Sequence, residues 1–68
     1  MYSDELQAQT REYFKTMPVA MMKQFGTNKF GLGQLEPDSS YSIRVFRSDE
    51  VYVFKTIDLL IEAGWAID

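Results

Sequence analysis

The sequence predicts an α+β domain: an N-terminal helix (kinked or followed by a short second helix at Pro18), a glycine-rich connector, an antiparallel β-hairpin and a C-terminal helix. Three observations carry that prediction. Apolar residues recur at helical spacing from Leu6 to Met17; breakers crowd residues 26–40; and β-branched and aromatic residues alternate with polar ones after Tyr41. The 68 residues form a single small domain over 1–68. A chain this short has a thin core.

The first helix spans Ser3 to about Met17, with Ser3 as N-cap and Asp4 and Glu5 in the first turn, where the helix dipole favours acids. Leu6, Thr10, Tyr13, Phe14 and Met17 form its buried stripe, while Gln7, Gln9, Arg11, Glu12 and Lys15 cover the other side. Pro18 cannot donate to the Phe14 carbonyl and disfavours helical geometry at Met17, so the helix kinks there or a second one runs from Pro18 to Phe25. Gly26 follows as its terminator.

Residues 26–40 read as the connector, with Phe30, Leu32 and Leu35 packing part of it down. The hairpin follows over Tyr41–Lys55, turning at Ser48-Asp49-Glu50. If Arg47 lies opposite Val51, then Ile43, Val45, Val51 and Val53 share one face, and Arg44, Phe46, Tyr52 and Phe54 the other. A one-residue slip reverses part of that assignment. Thr56 caps a last helix over Ile57–Ala63, and Gly64 ends it with Trp65 folding back on Leu60.

Composition narrows the chemistry. Apolar residues make up 46% and charged ones 25%, and the net charge is −3. That balance belongs to a globular domain rather than a disordered one. There is no Cys and no His, which excludes disulfide scaffolds, zinc fingers and Cys-His or Ser-His catalytic pairs. Met1 to Glu5 lack the charge of a signal peptide, and the longest apolar runs fall far below the roughly 20 residues of a membrane span. A cytoplasmic protein without membrane contact is the expectation.

Motifs for catalysis or cofactors fail one by one. Gly26 and Gly31 have the outer spacing of a phosphate loop, but Leu32-Gly33 stands where Lys-Ser or Lys-Thr is needed. Gly31-Leu32-Gly33 opens a dinucleotide fingerprint that Glu36 breaks. Asp58 and Glu62 lie one helical turn apart, a spacing equally natural for a solvated face. No catalytic, cofactor or metal site is expected, and the chain reads as a non-enzyme.

Two surfaces remain. Val19, Ala20, Met21 and Met22 are contiguous and point around more of a helix than one core face uses, which suggests Met21, Met22 and Phe25 as anchors for another protein. Arg44, Tyr52 and Phe54 make a second candidate surface on the hairpin. The expected function is therefore a small interaction protein (a regulator, inhibitor or accessory subunit), with a homodimer as one form of association. The alternative is a nucleic-acid accessory protein that stacks bases on the aromatic and arginine face, helped by three lysines and no acid in residues 13–35. The acidic net charge opposes it.

Overall fold

Ser3 accepts a hydrogen bond from the Leu6 N–H at 3.3 Å and opens the first helix, α1 (Asp4–Thr16). The chain leaves that helix at Met17, whose φ of −124° and ψ of 127° are the extended geometry that a following proline imposes. The computed structural model describes residues 2–68. After α1 come β1 (Val19–Gln24), β2 (Phe30–Leu35), β3 (Tyr41–Val45), β4 (Val51–Phe54), α2 (Ile57–Glu62) and β5 (Trp65–Ile67). All five strands pair antiparallel in one sheet of order β4-β3-β2-β1-β5.

This architecture corrects the expected one. The segment read as a kink or second helix at Pro18 is strand β1, the connector contains strand β2, and a fifth strand follows the C-terminal helix. Pro18 neither kinks a helix nor starts one: its carbonyl accepts from the Leu35 N–H at 2.8 Å and so begins the β1–β2 ladder. The contiguous apolar run Val19–Met22 is explained by a strand's period of two. Ala20 and Met22 enter the core while Val19 and Met21 emerge on the opposite face.

The hairpin register also differs. Val51 lies opposite Arg44, not Arg47. The offset is an odd number of residues, so β4 is flipped relative to β3. Ile43, Val45, Tyr52 and Phe54 face the core; Arg44, Val51 and Val53 face away.

Both helices lie against one face of the sheet. Phe14 from α1 meets Tyr41 edge-on with ring centroids 5.3 Å apart, and Leu60 and Ile61 of α2 join it with Met22, Ile43, Val45 and Trp65 in one core. Gly31 and Gly33 are the inward residues of β2, where side chains would collide with that core. A Cβ on Gly33 would stand 2.8 Å from Met22 Cγ and 3.3 Å from Phe14 Cζ. The glycines thus make room for close packing rather than a turn-rich linker.

α1 also closes one edge of the sheet. Thr10 is fully buried; its hydroxyl donates to the Leu6 carbonyl at 2.8 Å and accepts the Ile67 N–H at 3.3 Å. The Tyr2 hydroxyl donates to the Trp65 carbonyl at 2.6 Å. Two outward backbone groups of edge strand β5 are thereby satisfied from the N-terminal segment. Replacing Thr10 by the isosteric valine strands the Ile67 N–H and is expected to cost about 1–3 kcal/mol in urea unfolding. Serine at the same site keeps the acceptor and is expected to lose less.

Candidate functional site

With both helices on one side, the other face of the sheet is bare. It is built from the residues that alternate with the core positions: Val19, Met21 and Lys23 on β1, Phe30, Leu32 and Gln34 on β2, Ser42 and Arg44 on β3, Val51 and Val53 on β4. The pairings set these side chains in rows. Met21, Leu32, Arg44 and Val51 form one across four strands, with Val19, Gln34, Ser42 and Val53 beside it. Met21 is 54% exposed and Val53 66%, among the most exposed large apolar residues of the protein. The exposed apolar residues of β1 and β2 are separated from Val51 and Val53 of β4 by Ser42 and Arg44 of β3.

Charge on the molecule is segregated around that face. None of the ten acids lies in a strand; they sit on α1, on α2, in the loops and at Asp68. The strands carry two cations instead, Lys23 and Arg44. Lys23 approaches Asp68 at 3.9 Å, whereas Arg44 has no carboxylate partner among the described residues. The bare face is apolar with embedded positive charge, on a protein of net charge −3.

The residues singled out from sequence are divided by the fold. Met21 and Arg44 stand on the bare face. Met22 is 1% exposed beneath α1, so as folded it has no surface to offer a partner. Tyr52 and Phe54 turn inward against the core, on the opposite side of the sheet from Arg44. Phe25 lies beyond the end of β1, stacked on Tyr2 at 4.9 Å with the Lys23 ammonium 5.5 Å from its ring, beside a shallow cleft of about 450 Å³ bordered by Ile61 and Gly64. Val19, Phe30, Leu32, Val51 and Val53 are the apolar members of the face that sequence reasoning missed.

No protein-family model, curated protein or solved structure matches this chain.

Asp58 and Glu62 do line one cleft with Gln7 and Arg11. The Asp58 carboxylate is paired with the Arg11 guanidinium on a surface open to solvent. Among the described residues, no group of three metal-ligating side chains converges there or elsewhere. At the loop end of the sheet, Lys29 donates to the Tyr52 hydroxyl at 2.9 Å and to Glu50 at 3.1 Å, and Tyr52 donates to the same carboxylate. These bonds tie the β1–β2 loop to the hairpin.

The Tyr52 hydroxyl first, and then Lys29, hold the Glu50 carboxyl below the usual glutamate range. A depressed carboxyl stabilises the fold above its unfolded pKa, and that contribution disappears as pH falls through the lower folded value. The urea midpoint of the native protein is thus expected to fall below about pH 4.3 more steeply than that of Glu50→Gln. Parallel acid limbs would show that the Glu50 contacts contribute nothing. The group is exposed, so the difference is small.

Proposed function

We propose that the chain is a non-enzymatic interaction protein that binds another protein through the bare face of its sheet. One observation carries the reading: Val19, Met21, Phe30, Val51 and Val53 stand exposed on the sheet face that neither helix covers, in two apolar groups on either side of Ser42 and Arg44. Burying such side chains contributes roughly 25 cal/mol per Å² of apolar area removed from water, and the area these residues expose is free to contribute it. Lys23 and Arg44 set the kind of partner, a surface where carboxylates accompany aliphatic or aromatic residues. Two copies meeting face to face would bring cations together without acids, which disfavours that arrangement. The nucleic-acid alternative has less support from its expected residues, because Tyr52 and Phe54 lie on the far side of the sheet from Arg44, which leaves Phe30 and Phe46 as the exposed rings near it.

Selection of displayed random peptides on the immobilised protein tests this. The expected winners combine Asp or Glu with aromatic or aliphatic residues, and Arg44→Glu weakens them about tenfold or more, a loss of the size seen at interfacial charge pairs. Winners that are basic, or that bind Met21→Ser and Arg44→Glu as well as the native chain, would remove the bare face as the site.

A further inference from the structure

The two edges of the sheet are treated differently. Strand β5 is closed by Thr10 and Tyr2, whose side chains hold the Ile67 N–H and the Trp65 carbonyl. Among the described residues, strand β4 has no such cover. The Val45 N–H bonds to the Glu50 carbonyl at 3.1 Å, and antiparallel alternation then directs the backbone groups of Tyr52 and Phe54 toward β3. The same alternation turns the N–H and C=O of Val51 and Val53 outward, into solvent. Val51-Tyr52-Val53-Phe54 contains no proline, no glycine and no charge, the devices that usually blunt an edge. Val51 and Val53 are also exposed through their side chains.

We infer that β4 is a dimerisation edge, pairing antiparallel with β4 of a second copy across a two-fold axis through Tyr52 to make one ten-stranded sheet. The donors and acceptors are self-complementary. With Tyr52 opposite Tyr52 of the second copy, Val51 lies opposite Val53 and the reverse, so each copy offers two N–H and two C=O groups to an equal set. Side chains keep their faces, because paired antiparallel residues point the same way. The charges that flank the strand favour the same register: Lys55 directly follows β4 and Asp49 lies in the turn before it, so this pairing brings Lys55 toward Asp49 of the second copy, twice by symmetry. Neither Lys55 nor Asp49 has an ion-pair partner among the described residues of its own chain. A shift of two residues either way loses backbone bonds and separates these charges. The bare face survives dimerisation and becomes continuous across both copies, so this association is independent of the partner proposed above.

Sedimentation velocity from about 10 µM to about 1 mM reads the equilibrium, a range suited to a small interface weaker than about 1 µM. The native chain is expected to shift from monomer to dimer across it. Val53→Pro removes an outward donor that the monomer does not use, a position where edge strands tolerate proline, and is expected to stay folded and monomeric throughout. Lys55→Asp and Asp49→Lys each weaken the dimer about tenfold, since a like-charge pair then occurs twice, and the double exchange restores it to within about twofold. A native chain that is monomeric up to 1 mM overturns the proposal. So does a dimer that persists in folded Val53→Pro, or charge variants that fail to weaken and rescue it. Should Val53→Pro unfold, the charge exchange decides alone.

Discussion

Trp65→Ala leaves the protein largely unfolded at 25 °C. Trp65 has no exposed surface, and its ring lies 6.1 Å from that of Tyr52 in the core formed with Met22, Ile43, Leu60 and Ile61. Emptying a buried tryptophan site costs about 3–5 kcal/mol, because the surroundings collapse only in part. A domain of this length has roughly 3–10 kcal/mol of stability in total. The loss is therefore comparable with the whole. Strand β5 is three residues long and delivers this single large side chain between α1, α2 and the sheet, so its docking fails with it. Trp65→Phe is expected to be much milder. It keeps most of the apolar volume and removes the indole N–H, which is buried without an acceptor among the described residues. Circular dichroism and urea unfolding of the two variants check the order; an alanine variant as stable as the phenylalanine one would show that the core does not depend on this side chain.

Gly31→Ala is expected to cost about 1–3 kcal/mol, although alanine is the smallest side chain that could be added. The new Cβ would stand 2.7 Å from the Arg44 carbonyl oxygen and 2.9 Å from Ile43 Cγ2. The first of these is backbone of the adjacent strand, so relief requires β2 and β3 to part and their ladder to weaken. Gly33→Ala meets chiefly the Met22 side chain, which has rotatable bonds to yield with, and is expected to lose less. Urea midpoints give the order directly. A phosphate-loop role for the glycines would give the opposite pattern, with stability kept and an anion site lost. Equal midpoints for native protein and Gly31→Ala would contradict the close approach of β2 and β3.

What was legible in the sequence was chemistry local to a few residues. The Ser3 cap, the Thr56 cap and the Gly64 terminator with φ of +93° stand where hydrogen-bonding and backbone rules place them. The two central strands were not legible, for different reasons. Ala-Met-Met-Lys-Gln has the intrinsic preference of a helix, and pairing with β2 on one side and β5 on the other overrides it. In β2 the inward positions are Gly31 and Gly33, so the period-two pattern has no hydrophobic amplitude to detect. Breakers on paper are packing residues in the sheet.

The candidate site suffered from a single odd offset. With Arg44 rather than Arg47 opposite Val51, Tyr52 and Phe54 move into the core, and Val51 and Val53 come out beside Arg44. Methionines one residue apart met opposite fates for the same reason: Met21 on the bare face, Met22 under α1. Register depends on contacts made across strands, and residue types along one strand do not encode it by themselves.

The central claim is that the bare face of the sheet, and not the helical side, engages another protein. Its most direct measurement is affinity capture from nuclease-treated lysate at moderate salt, with three baits in parallel. These are the native chain, the face variant Met21→Ser with Leu32→Ser, and a helix-side control, Glu12→Gln, with unfolding curves confirming that all three are folded. One stoichiometric protein is expected to be held by the native chain and the control and to be absent from the face variant. The same companion retained by the folded face variant, or no companion held by the native chain, would contradict it.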